Sequence, residues 1–217
     1  MDAIAQQVRD AFANAPRAER LHVAGRLRTC PVAEIAAETP ERGRILDFGC
    51  GHGAVALYLA LSGANRAVTG VDVDRDKLVH ARNAATAAGA SIEFVDAALD
   101  YRPEGEWDAI TIVDVLYLLG RDVMGDVISH AARALVPGGL LLIKELDTQP
   151  RWKFRVAAAQ EVLATKVLRI TEGSALYWES SRQLGERMKA AGLEVEQRPL
   201  HRGRLHPHHL VIGRKPA

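Results

Sequence analysis

The stretch ILDFGCGHG, residues Ile45–Gly53, sets three glycines at alternate positions directly behind a short apolar run, with Asp47 just ahead of them. An apolar run of this length reads as a strand covered on both faces. Alternate glycines after it let the backbone turn tightly and let a ligand approach the N-terminus of the following helix. In an open α/β sheet, ligands bind at this place, the crevice at the carboxyl ends of the strands. The glycines alone do not choose the ligand. A phosphate-binding P-loop needs a Gly-Lys-Ser/Thr ending, which is missing, and GCGHGA fits the dinucleotide fingerprint G-x-G-x-x-A only loosely.

Working outward, apolar runs at 44–48, 66–71, 91–95, 107–113 and 140–145 alternate with helical patterns at 54–62, 75–88 and 123–135. Strands alternating with helices of this length imply βαβ units, so the fold class is α/β, a doubly wound and mostly parallel sheet with helices on both faces. Ala-rich segments punctuated by Pro16, Pro31 and Pro40 predict short helices ahead of the first strand, because proline disfavours a helical residue before it. Pro137–Gly139 reads as punctuation between a helix and a strand. After Glu145 the spacing predicts a long helix over 152–169 and a second over 180–191 that stops at Gly192. Final strands are expected at 193–200 and 208–215. We expect a single domain over 1–217: a helical cap at 1–43, a ligand-binding core at 44–146, a helical insertion or lid at 147–192, and the last two strands at 193–217.

Composition narrows the function classes. The 217 residues carry 28 Lys+Arg against 27 Asp+Glu, a formal net charge of +1, so no global attraction to nucleic acid or acidic membrane is expected. The two cysteines, Cys30 and Cys50, make no disulfide framework, and no apolar run reaches the roughly 20 residues of a membrane span. These features predict a cytoplasmic protein with reduced thiols.

Three successive strands each end in a carboxylate. Asp47 lies inside the glycine turn, where it repels a pyrophosphate and attracts a cation. Asp72 ends the second strand, in VTGVDVD, where a carboxylate can accept both hydroxyls of a ribose. Asp96 ends the third strand, in IEFVDAAL, within reach of the edge of a base. A nucleoside bearing a positive group suits this set better than NAD. Structural roles compete: Asp72 could cap the next helix, although Asp74 is the better N-cap, and Asp96 could serve a turn. Cys50 reads as a small filler rather than a nucleophile, and His52 as a loop residue.

These motifs, in the order ILDFGCGHG, GVDVD, FVDA, WDAITIVDVLYLL and LVPGGLLLI, resemble the class I S-adenosylmethionine-dependent methyltransferases over about Arg44–Leu146. The resemblance implies a Rossmann-like seven-stranded sheet in the order 3-2-1-4-5-7-6, with 208–215 as the reversed strand, and S-adenosylmethionine as cofactor. It also implies that Asp47 with Gly49, Cys50, Gly51 and Gly53 holds the methionyl end. Asp72 would grip the ribose, Val73 flank the adenine, and Asp96 with Ala97 read the adenine edge.

The acceptor side is less determined. Enzymes of this family that methylate bases and glutamine carry an Asn/Asp-Pro-Pro-aromatic stretch after strand four, where this chain has Asp114-Val115-Leu116-Tyr117. That departure speaks against a DNA adenine or protein glutamine methylase, as does the near-neutral charge. Asp114, also a candidate cofactor contact, and Tyr117 are acceptor-side candidates. Glu145 is preferred over Lys144, since neighbours on a strand point to opposite faces. His201 is a candidate base, and the histidines at 201, 206, 208 and 209 lack the spacing of a metal site. The helix over 152–169, apolar on one face and basic around it, is read as a lid, with cover over a hydrophobic acceptor or peripheral contact with a membrane as alternatives. Tyr177 and Trp178 either wall the same pocket or anchor the core.

The expected function is methyl transfer to a small metabolite, apolar acceptors included, with oxygen the favoured atom; oligomeric state is left open. The alternatives are a non-catalytic S-adenosylmethionine-binding module and an NAD-linked oxidoreductase. The latter needs a Tyr-Lys pair that the sequence does not offer at suitable spacing.

Overall fold

The computed structural model describes residues 2–98, 100–156, 158–159, 176–200 and 206–217. Strands β1 (Arg42–Phe48), β2 (Asn65–Asp72), β3 (Ile92–Asp96), β4 (Trp107–Val113), β5 (Leu135–Leu146), β6 (Glu194–Pro199) and β7 (His208–Arg214) form one sheet. Its order is β3-β2-β1-β4-β5-β7-β6, as the resemblance implies. β2 runs parallel to both β1 and β3, and β7 runs antiparallel to both β5 and β6, which makes it the reversed strand.

By internal contacts the chain forms two compact units, residues 1–101 with 105–111, and residues 102–104 with 112–217. In the first unit, α1 (Ala3–Ala11), α2 (Arg17–Thr29) and α3 (Val32–Glu38) precede β1, and α4 (Ala54–Ser62) and α5 (Arg75–Ala87) follow β1 and β2. Residues 54–59 of α4 are all buried, because the helix packs on β2 while α1 and α3 cover its other side. A helix enclosed all round has no need of a polar face. Arg66 stitches α3 to this core: Nε donates to Pro40 O at 2.7 Å, Nη1 to Leu59 O at 2.9 Å, and Nη2 to Ala36 O and Thr39 O at 2.9 and 2.8 Å. A planar fork with fixed donors suits this four-way anchoring better than a lysine would.

In the second unit a 3₁₀ turn (Leu116–Leu118) leads into α6 (Arg121–Ala134), and α7 (Ser181–Ala190) precedes β6. Ser180 caps α7 in a capping box with Gln183, and Gly192 follows it with φ +86°. The segment Pro137–Gly139 is not a turn between helix and strand as expected. Gly138 N–H donates to Lys215 O and Lys215 N–H to Gly139 O, both at 2.9 Å, so β5 already begins at Leu135. Of the helix expected over 152–169, residues 151–156 are helical, and 160–169 lie outside the described residues. Among the described residues no helix is long and apolar enough to cross a membrane.

Candidate functional site

In the first unit, Gly49, Gly51 and Gly53 adopt φ of +72°, +53° and +74°. Side chains rarely take that left-handed conformation, so the alternate glycines are what the turn requires. Gly53 also has no room for a methyl group, since a Cβ there would lie 2.8 Å from that of Ala81. At Gly51 a Cβ would meet nothing nearer than Lys77 Cδ at 3.9 Å, so this glycine borders open space. Gly49 and Cys50 N–H both donate to Val71 O, at 2.8 and 2.9 Å, which ties the turn to β2.

Asp72 organises the rim beside that turn. Its Oδ2 accepts from Gly51 N–H at 2.7 Å and its Oδ1 from Asp74 N–H at 2.9 Å. Asp72 does not cap α5; Asp74 does, accepting from Lys77 N–H at 3.1 Å. Each Asp72 oxygen has engaged one lone pair and keeps another for a ligand hydroxyl. Val73 beside it is 51% exposed, an open apolar face on the same rim. At the tip of β3 the picture is more qualified. Asp96 is ion-paired with the exposed Arg75, and Ala97 N–H is spent on Asp72 O at 2.9 Å. Of the two residues expected at an adenine edge, Asp96 is thus engaged by Arg75 and the Ala97 N–H by Asp72.

Asp47 lies beneath the turn, 1% exposed, rather than in the open. Its Oδ1 accepts from the Thr111 hydroxyl at 2.9 Å, and its Oδ2 has no hydrogen-bond partner among the described residues. Burial pushes this carboxyl up to about 7, against the pull of the Thr111 hydroxyl and the positive charge of Arg26. A cation placed over the turn would return the charge to Asp47. Cys50 is half-buried, and burial together with Asp47 and Asp72 raises its thiol far above its ordinary range, so it is a filler, not a nucleophile.

Helix α2 brings residues that spacing did not signal. Glu19 Oε2 meets Nε2 of the buried His52, whose charged form burial disfavours, and the His22 ring lies 4.8 Å from that of His52. Burial and neighbouring positive charge lower His22 to about 4. His52 is thus a turn residue, as expected, whose role is to hold α2 against the glycine turn. Thr111 and Arg26 were also missed, since a lone hydroxyl in an apolar strand and one cation in a charged helix carry no signal.

The second unit gathers the acceptor-side candidates. Asp114 follows β4 with φ +56°, a strained conformation for a residue with a Cβ. Lys144, 1% exposed, donates to both its carboxylate oxygens at 2.6 and 2.7 Å. Glu145 Oε1 accepts from Val115 N–H at 3.0 Å and Leu116 N–H at 2.8 Å. Both strand neighbours therefore end on the segment after β4, because the long lysine arm reaches what alternation alone would deny it. Burial and the Asp114 charge raise Glu145 to about 8. The Tyr117 ring lies parallel to Trp178, 5.7 Å away, so Trp178 packs against the segment after β4. His201 lies outside the described residues. His209 Nδ1 is 3.3 Å from Asp147 Oδ2, and no group of three His, Cys, Asp or Glu among the described residues is placed to hold a metal ion.

Known proteins accord with this geometry. A family model described as a methyltransferase domain matches residues 22–198. The ubiquinone biosynthesis O-methyltransferase of Dechloromonas aromatica is 32% identical over 124 residues, 55% of this chain and 52% of that protein. The fatty-acid O-methyltransferase of Mycolicibacterium smegmatis is 32% identical over 166 residues, 75% of this chain and 57% of that one. The chain thus spans little more than half the length of these relatives. An O-methyltransferase family protein from Burkholderia thailandensis shares the fold, with a TM-score of 0.74 at 22% identity over 95% of this chain and 62% of that chain. With a matching domain over most of its length and the sheet order that its motifs implied, the chain belongs to the S-adenosylmethionine-dependent methyltransferase family.

Proposed function

We propose that the protein transfers a methyl group from S-adenosylmethionine to a small metabolite, with oxygen as the favoured acceptor atom and apolar acceptors included. The observation that carries the donor half is Asp47, a buried carboxylate with one oxygen unpartnered among the described residues, beneath a turn whose Gly51 leaves space above it. A cationic ligand relieves that charge, whereas a pyrophosphate would add to it. The residues fit the donor in other respects. Asp72 would accept from the ribose hydroxyls with its remaining lone pairs, Val73 would flank the adenine, and Asp96, freed from Arg75, would meet the adenine edge. Gly49, Cys50, Gly51 and Gly53 would line the methionyl end.

When bound, S-adenosylmethionine supplies a methyl group already activated on a sulfonium. What remains for the chain is to place the acceptor and exclude water. Asp114, Tyr117 and Glu145 are the residues we assign to the acceptor side. Both relatives are O-methyltransferases, one of ubiquinone biosynthesis and one of fatty acids, which supports oxygen as the acceptor atom.

Calorimetry with S-adenosylhomocysteine, S-adenosylmethionine and NAD tests the donor. Heat from the first two and none from NAD is expected; the reverse overturns the proposal. Transfer of labelled methyl from S-adenosylmethionine into a cell extract, followed by identification of the labelled product, tests turnover and names the acceptor.

A further inference from the structure

In the second unit, residues 151–156 form a helical stretch with apolar side chains on two opposite faces. Phe154 makes the inner contact. It meets the Trp178 indole edge-on at 5.6 Å, and Trp178 in turn stacks within 7° of parallel on Tyr117. At about 100° per residue, Trp152 and Val156 each lie about 160° round the helix from Phe154. Anchoring by Phe154 therefore turns these two away from the unit. Trp152 is 60% exposed and Val156 41%. A helix that packs by one apolar face normally shows solvent a polar one, and this one shows an indole and a valine.

Cations frame that outer face. Lys153 stands about 100° to one side of Trp152, with Arg155 about 60° and Arg151 about 100° to the other. Both arginines are exposed, and Lys153 Nζ lies over the Trp152 ring, 5.6 Å from its centroid. The sequence has no Asp or Glu from 148 to 160, so this is a local basic patch on a chain whose net charge is only +1.

The two halves of the face call for one partner. A polyanion such as RNA would meet the cations and leave Trp152 and Val156 in water. An apolar protein groove would cover those two and strip the guanidinium groups of water. The surface of a bilayer with anionic headgroups meets both needs. An indole, apolar with one polar edge, suits the boundary between headgroups and acyl chains, and the long Arg and Lys arms reach out to the phosphates.

We propose that residues 151–156 are a peripheral docking face for an anionic lipid surface, with Trp152 and Val156 entering the headgroup boundary and Arg151, Lys153 and Arg155 on the phosphates. The proposal goes beyond the methyltransferase reading and does not depend on it.

Sedimentation of the full chain with vesicles tests it, using phosphatidylcholine alone and phosphatidylcholine mixed with phosphatidylglycerol. The wild type should bind the mixed vesicles, less so as salt is raised, and leave phosphatidylcholine in solution. Replacing Arg151, Lys153 and Arg155 together by Gln should weaken binding on the order of a hundredfold, the factor that three basic residues contribute near an anionic surface. Trp152→Ala should weaken it about tenfold, as expected for an indole withdrawn from apolar surroundings. Mixed vesicles with brominated acyl chains should quench part of the tryptophan fluorescence of the wild type and none of that of Trp152→Ala. All these positions are exposed or half-buried, and an unchanged circular dichroism spectrum shows that each variant is folded. Binding that either variant retains in full, or binding without quenching, overturns the proposal. Mixed vesicles that the wild type ignores while a homopolymer RNA binds it would give the cations to nucleic acid and overturn it as well. S-adenosylhomocysteine binding on the same samples separates the two proposals. Its absence with vesicle binding intact removes the methyltransferase reading and leaves the docking face, and the converse result does the opposite.

Discussion

Asp47→Asn separates the electrostatic account of the glycine turn from a purely structural one. Burial raises the Asp47 carboxyl from 3.8 to about 7. In the unfolded chain the same group ionises near 4. The folded state therefore binds its proton more tightly, and the associated stability is fully present below about pH 4 and lost as pH rises through 7. A rise of about three units corresponds to ~4 kcal/mol of penalty for the free protein at pH 8, and to less than ~2 kcal/mol at pH 5. Asparagine removes the charge and keeps an oxygen for the Thr111 hydroxyl, but leaves an amide N–H where Oδ2 was, at a cost of about 1–3 kcal/mol. The variant should then be more stable than the wild type by about 1–3 kcal/mol at pH 8. That advantage should shrink by about 2 kcal/mol at pH 5. Urea unfolding followed by circular dichroism at the two pH values measures it. Glu145 and His22 titrate in both proteins, so their contributions cancel in the difference. The same substitution should weaken S-adenosylhomocysteine binding, and wild-type affinity should rise as pH increases through 7. A stability difference that is the same at pH 5 and pH 8 refutes the reasoning.

Three further outcomes are expected. Asp72→Ala removes the acceptor of both Gly51 and Asp74 N–H and should weaken S-adenosylhomocysteine binding at least about tenfold by calorimetry, the loss that a charged hydrogen-bond acceptor brings; unchanged affinity would sink the ribose assignment. Cys50, with its thiol raised by burial and two nearby carboxylates, should react with iodoacetamide at pH 8 much more slowly in the folded protein than in urea, read by mass spectrometry of the alkylated peptide. Lys144→Met leaves Asp114 without its buried counter-charge and should cost about 3–5 kcal/mol in urea unfolding, a loss that Lys144→Met combined with Asp114→Asn should largely restore.

The fold and the candidate donor site were legible in the sequence for a local reason. A parallel strand covered on both faces is an uninterrupted apolar run, and a left-handed turn demands glycine, so β1 and the turn after it appear in the letters of ILDFGCGHG. The carboxylates at 47, 72 and 96 were legible too, because each lies in the last two residues of a strand. Their states were not, since those depend on residues far along the chain. Thr111 meets Asp47 across 64 positions and Arg75 meets Asp96 across 21, and no spacing rule connects either pair. The same limit applied at strand five. Alternation suggested that one of Lys144 and Glu145 would turn away, but it governs only where a Cβ points, and a lysine carries its charge several ångströms beyond that. Where a site is made by backbone geometry, sequence periodicity reveals it. Where it is made by the reach of side chains, as at Asp114 and Lys144, two residues 30 positions apart, only the fold brings the partners together.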